Sequence, residues 1–268
     1  MKLSYAVSLQ KTGFNFIAQE DWVNKAKVLS YLGYDGIELS IRDPRQIKIT
    51  NIEMVLSRYA LKLAAIGTGQ IFNDDGLSLS SSKKNIRQKA IKRIKSNIDI
   101  AKAFDSLVII GLARGKSNGI QDRNDSYRKS LLESFRQLCD YASKRNVTIA
   151  IEPINRYEVS FLNNVGEAVR FISEVKCSCL RILLDTFHMN IEEKDFIAPI
   201  SQAGRLVSYV HLSDNNRLCP GRGHIDFKEI ISALKKIKYK GYLSAEILPM
   251  PSFKSCAKEF HNYVERLI

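Results

Sequence analysis

The chain has 268 residues, of which 45% are hydrophobic and 26% charged, and its formal net charge is +13. The length suits one α/β barrel domain over residues 1–268 better than two ordinary domains, and the composition is that of a globular protein. No stretch approaches the roughly 20 apolar residues of a membrane span, and Gln10 and Lys11 end the first apolar run too soon for a signal peptide, so a cytoplasmic protein without membrane association is expected.

Short apolar runs alternate with longer helical patterns. Run 3–9 leads to a helix near 20–32, and 36–39 to a helix near 51–60. Run 61–66 precedes a long helix near 83–104, and 106–111 precedes one near 125–145. Then 147–152 leads to 164–175, 180–185 to a weak helix near 193–203, 206–211 to 227–237, and 242–247 to a last helix near 254–267. That makes eight β–α units. Runs that are apolar throughout imply strands buried on both faces, as in a parallel sheet. Eight repeats of one unit close into a (β/α)8 TIM barrel, with eight parallel strands, outer helices and an active site at the C-terminal strand ends. An open doubly wound sheet would place a glycine-rich turn after its first strand, and the segment Gln10-Lys11-Thr12-Gly13-Phe14-Asn15 has no GxGxxG.

The positive charge lies mostly on lysines of predicted helix faces, such as Lys83-Lys84, Lys92-Arg93-Lys95 and Lys235-Lys236-Lys238, without interleaved aromatic residues. A solvated helical surface is expected, and no nucleic-acid partner. A phosphorylated substrate is the main way the charge could matter. Five cysteines stand at 139, 177, 179, 219 and 256. The count is odd, and Cys177-Ser178-Cys179 has no second cysteine or histidine pair near it in sequence, so reduced thiols are expected rather than a zinc site.

In a barrel the chemistry sits where strands end. The fifth run ends at Glu152, the sixth at Asp185 with His188 three residues later, the seventh at His211 and the eighth at Glu246. Singly, an acid at a strand end usually just meets water, and a histidine usually packs. Four together on successive strands are hard to explain that way, and three carboxylates converging on one mouth are costly without a cation. Oxygen-rich ligation with one imidazole suits manganese, magnesium or cobalt better than structural zinc. One divalent ion held by Glu152, Asp185, His211 and Glu246 is expected, Mn2+ ahead of Mg2+ or Co2+.

The segments Glu152-Pro153-Ile154-Asn155-Arg156-Tyr157-Glu158, Leu184–Glu193, His211 through Arg217, Pro220-Gly221-Arg222-Gly223 and Gly241-Tyr242 leading to Glu246 resemble the xylose-isomerase-like barrel superfamily. Within it they are most similar to the ketose 3-epimerases acting on D-tagatose or D-psicose. In the first half the resemblance lies in the barrel rhythm and Gly33-Tyr34-Asp35-Gly36-Ile37-Glu38. The resemblance implies that Glu152 and Glu246 are the acid–base pair as well as metal ligands, and that Glu158, His188 and Arg217 hold the O1 to O3 end of the sugar. It implies C3 epimerisation of a ketose or ketose phosphate. Barrels of this kind often pair, so a homo-oligomer, dimer or tetramer, is expected. The chemistry agrees: two carboxylates on opposite sides of a carbon can remove and return its proton, and a divalent ion stabilises an enediolate.

Segment Leu112–Gly119 departs from the family pattern. Arg114 and Lys116, with backbone N–H groups around the glycines, could cradle a substrate phosphate; a solvated basic loop is the alternative. Three rivals share parts of the pattern. An aldose–ketose isomerase or polyol dehydratase would use the same metal and enediolate logic. An abasic-site endonuclease would need histidines at the third and fourth strand ends, which read Ile66-Gly67-Thr68-Gly69 and Ile110-Gly111-Leu112. A non-catalytic sugar-binding barrel would have no reason to keep both Glu152 and Glu246.

Overall fold

A computed structural model describes residues 1–13, 17–116 and 125–268. Strands β1 (Lys2–Ser8), β2 (Gly36–Ser40), β3 (Lys62–Gly67), β4 (Leu107–Ile110), β5 (Ile149–Ile151), β6 (Leu180–Asp185), β7 (Val207–Leu212) and β8 (Tyr242–Ala245) form a closed parallel barrel in chain order. β1 completes the ring against β8, with Lys2 opposite Tyr242 and Tyr5 opposite Ala245. The outer layer comprises α1 (Trp22–Tyr31), α2 (Ile49–Arg58), α4 (Lys84–Ala103), α5 (Asp125–Ser143), α6 (Val165–Val175), α8 (Ile197–Ala203), α9 (Phe227–Lys236) and α10 (Phe253–Glu265). Two short helices, α3 (Gln70–Asn73) and α7 (Thr186–Glu192), stand directly after strand ends.

The eight predicted strands and most helices lie where the sequence places them. The sixth unit differs. The expected helix near 193–203 is present as α8, but a further helix, α7, precedes it, because Asp185 ends β6 and also caps α7, accepting from Phe187 N–H at 2.8 Å. The chain therefore turns helical at once, and His188 sits one turn into α7.

Strand residues alternate between two apolar layers. Ile149 and Ile151, Ile182 and Leu184, and Val210 and Leu212 pack outward against the helices. Between them Ala150, Leu183 and Tyr209 point inward, meeting Ala64, Ala65 and Ile109 in the barrel's interior. This double burial explains why the strands read as continuous apolar runs. Helices bury one stripe each: α9 buries Phe227, Ile230, Ile231 and Leu234, about 1.5–3 kcal/mol per large side chain. Lysines 84, 92, 235 and 236 are exposed on these helices, and Lys83 and Lys238 are exposed just beyond helix ends. No helix among the described residues is long and apolar enough to cross a membrane.

Candidate active site

The inward period of two generates the site. Two positions beyond Ala150, Leu183, Tyr209 and Ser244 come Glu152, Asp185, His211 and Glu246, at the C-terminal mouth of the barrel. Each offers a ligand atom, and these atoms lie within 4.8 Å of one another. His211 Nδ1 is 3.4 Å from Glu246 Oε2 and 3.6 Å from both Glu152 Oε1 and Asp185 Oδ2. On its other side, His211 Nε2 donates to Glu38 Oε2 at 3.0 Å, and Ser244 Oγ donates to the same oxygen at 2.9 Å. Glu38 thus holds a proton on Nε2 and turns Nδ1 toward the three carboxylates, where that nitrogen is buried without a hydrogen-bond partner. An orphaned imidazole nitrogen among carboxylate oxygens is the donor set of a divalent cation, and these residues fit one.

Electrostatics tighten the same cluster. Burial alone would lower the His211 pKa, but Glu38 and Glu246 outweigh it and hold it well above the ordinary value. Burial opposes ionisation of Asp185 and Glu246 as well, yet Arg217 and the histidines keep both below the ordinary carboxylate range. Burial wins at Glu152, whose pKa is raised. Arg217 Nη1 donates to Asp185 Oδ1 at 2.8 Å, to Asp185 Oδ2 at 2.6 Å and to Ser213 Oγ at 3.0 Å, while Nη2 donates to Glu246. The guanidinium lies 4.8 Å over the Phe187 ring. The turn carrying Arg217 is organised by buried Asp214, whose carboxylate accepts from the N–H groups of Asn215, Gly221, Gly223 and Ile225 at 2.8–3.2 Å. Gly223 must be glycine there, since a Cβ would lie 2.2 Å from Asp214 Oδ1.

A second set surrounds the carboxylates. His188 Nε2 is 3.9 Å from both Glu152 Oε1 and Asp185 Oδ2. Its Nδ1 is 2.8 Å from Asn155 Nδ2, whose other hydrogen goes to Glu158 Oε1 at 2.9 Å, while Asn155 Oδ1 accepts from Tyr157 N–H. Three partners thus fix the amide's orientation, and the amide fixes the ring: Nδ1 accepts, and Nε2 carries the proton toward the mouth. The pocket's remaining wall is lined by Thr68, Gly69, Leu112 and Ile154. Gly111 leaves room for the Glu152 carboxylate in this position, since a Cβ would lie 2.2 Å from Glu152 Oε2. The strand ends that lack histidine are therefore where space opens beside the carboxylates.

Glu152, Asp185, His211, Glu246, Glu158, His188 and Arg217 all line one mouth. Arg114 does not serve as expected. It is completely buried, with Nη1 donating to the Glu152 carbonyl and Nη2 to the Leu162 carbonyl at 3.1 Å. A buried guanidinium needs acceptors, and it finds them in the backbone behind Glu152, which takes it away from any substrate phosphate. Lys116 is exposed, while Ser117, Asn118 and Gly119 of the same expected loop lie outside the described residues. Sequence reasoning assigned no role to Glu38 or Asn155. The signal for Glu38 was present, an acid inside an otherwise apolar strand; Asn155 stood unremarked inside the Glu152–Glu158 motif.

Known proteins similar to this chain include sugar epimerases. The model of a family described as xylose isomerase-like TIM barrel matches residues 26–259. An L-ribulose 3-epimerase of Methylomonas sp. is 31% identical over 80% of this chain and 74% of its own length. A 3-dehydro-D-guloside 4-epimerase of Escherichia coli is 34% identical over 85% of this chain and 87% of its own. The crystal structure of a D-allulose 3-epimerase from Methylomonas sp. in complex with D-allulose shares the fold, with a TM-score of 0.85 and 24% identity, covering 100% of this chain and 98% of the other.

Proposed function

The chain belongs to the xylose isomerase-like TIM barrel family and is a carbohydrate epimerase, and we propose that it inverts C3 of a ketose with the help of one divalent metal ion. The observation that carries this reading is the orphaned Nδ1 of His211 facing Glu152, Asp185 and Glu246; in our reading Glu152 and Glu246 also exchange a proton with a substrate carbon. Glu152, Asp185, His211 and Glu246 would hold the ion, which when bound offsets the carboxylate charge and stabilises negative charge developing on adjacent substrate oxygens. Manganese is our first choice, with magnesium or cobalt as substitutes.

Inversion beside a carbonyl needs one group to take the proton and another, on the opposite face, to return one. Glu152, beyond β5, and Glu246, beyond β8, divide this task, and the reverse reaction exchanges their roles. His188 donates its Nε2 proton to a substrate oxygen. Glu158 accepts from a substrate hydroxyl, and Arg217 adds a fixed positive charge beside the reacting oxygens. Because Arg114 is turned into the protein, only Lys116 remains of the pair expected to bind phosphate, and we read the substrate as an unphosphorylated ketose.

A second reading is favoured by the 34% identical 4-epimerase. A carbonyl at C3 rather than C2 would move the same proton chemistry to C4. The test is to incubate the protein with Mn2+ and a panel of D-fructose, D-tagatose, D-psicose, L-ribulose, the matching ketose phosphates and a 3-keto-glycoside, and to identify products by NMR. A C3 epimer of a free ketose is expected. Turnover of the 3-keto-glycoside alone would establish the second reading, and an aldose product would refute both.

A further inference from the structure

The second convergence of metal-ligating groups lies at the opposite end of the barrel. Cys139 belongs to α5, and Cys177 and Cys179 to the turn between α6 and β6. Their three sulfurs lie within 4.8 Å of one another. Cys177 Sγ and Cys179 Sγ are 2.9 Å apart, and Ser143 Oγ is 3.3 Å from Cys179 Sγ and 3.7 Å from Cys177 Sγ. Cys139 and Ser143 are one helical turn apart, so α5 presents sulfur and oxygen on one face toward the CxC turn. We propose that Cys139, Cys177 and Cys179 form a second metal site, one that takes a single soft cation such as Zn2+ on three thiolates, with Ser143 Oγ or a water as the fourth ligand.

Three observations favour a cation over the alternatives. Two tetrahedral thiolate ligands, each about 2.3 Å from zinc, stand about 3.8 Å apart. The sulfurs are already within reach of that spacing, and side-chain rotation of Cys177 and Cys179 supplies the difference. A disulfide would use two sulfurs and leave the third without purpose, whereas a cation takes all three. Finally, Cys139 is buried while Cys177 and Cys179 are half-buried and Ser143 is exposed, which gives the ion a way in.

The donors separate this site from the other. Asp185 stands at the far end of β6 from Cys179, about 15–20 Å away at 3.3 Å per strand residue, and offers oxygen, not sulfur. The position suits a structural clamp. It ties α5 to the turn that starts β6, on the barrel face associated with stability rather than catalysis.

Cobalt substitution tests the proposal. Reduced, metal-free protein is titrated with Co2+ and followed in the near ultraviolet, where only thiolate ligation gives an intense charge-transfer band. The band should saturate at the intensity of one thiolate-bound Co2+ per chain, excess Zn2+ should remove it, and Zn2+ should protect three of the five thiols from alkylation. Cys139→Ser and Cys179→Ser should each abolish the band, whereas Cys219→Ser should keep it. No band in the wild-type protein would overturn the proposal, whatever the variants do. So would a band that survives Cys139→Ser, or a Cys177–Cys179 disulfide forming in air while Zn2+ is present.

Discussion

Two histidines at the mouth are held in the same tautomer by different means. Glu38 takes the Nε2 proton of His211 into a buried hydrogen bond and leaves Nδ1 as the donor atom. Asn155 donates to Nδ1 of His188 and leaves Nε2–H pointing at the substrate space. Each assignment predicts a different defect. Glu38→Gln removes a charge behind a metal ligand, and metal affinity should fall roughly 10- to 100-fold when measured by titration calorimetry, with less effect on saturated turnover. Asn155→Asp should reverse the His188 tautomer, because a carboxylate accepts where the amide donated. Turnover should then fall on the order of 100-fold with metal affinity unchanged, as seen in steady-state kinetics at saturating Mn2+. Equal metal affinity and turnover in the Asp variant would remove Asn155 from the mechanism.

The ligand layer is an extension of strand periodicity, so it depends on small residues in neighbouring strands. Gly111→Ala places a methyl group 2.2 Å from Glu152 Oε2. The carboxylate must move, so activity should be lost while circular dichroism stays unchanged. The loop after β2 supplies a stability test. Asp43 accepts from Arg45 N–H at 3.1 Å and from the Arg45 side chain at 2.7 and 2.9 Å, and the Arg45 hydrogen bonds lower its pKa to about 2. An ordinary Asp titrates near 3.9. The stabilisation is therefore fully present above that value and lost as pH falls through about 2. With Arg45 largely exposed, Asp43→Asn should cost on the order of 1 kcal/mol at neutral pH in urea unfolding, and the penalty should shrink below about pH 4 and vanish only below about pH 2.

The same elements mark how far the sequence can be read. Strands buried on both faces announce themselves as apolar runs, and a ligating residue at the end of four such runs is visible without a structure. What the chain hides is side-chain direction. Arg114 follows β4 in a loop that looks basic and open, but it turns inward to reach the Glu152 and Leu162 carbonyls. Asp185 serves as both strand end and helix cap, so the sixth unit turns helical earlier than periodicity indicates. Cys139 meets Cys177 and Cys179 only because α5 packs against the following unit.

At the scale of the whole molecule, function depends on closure of the barrel. Glu38 and His211 are 173 residues apart, and Glu38 and Ser244 are 206 apart, yet both pairs bond across the interior. Until β1 pairs with β8 there is no ring to bring Glu152 and Glu246 to one mouth. The net charge of +13 is spread largely over lysines on outer helix faces and sits away from this chemistry. The central claim is that two carboxylates exchange the proton on C3 of a ketose, and solvent deuterium tests it most directly. In heavy water with Mn2+, the wild-type protein should place deuterium at C3 as the epimer appears, while Glu152→Gln and Glu246→Gln, still folded, should each lose epimerisation. Full activity in either variant, or an epimer formed without deuterium at C3, would contradict the account.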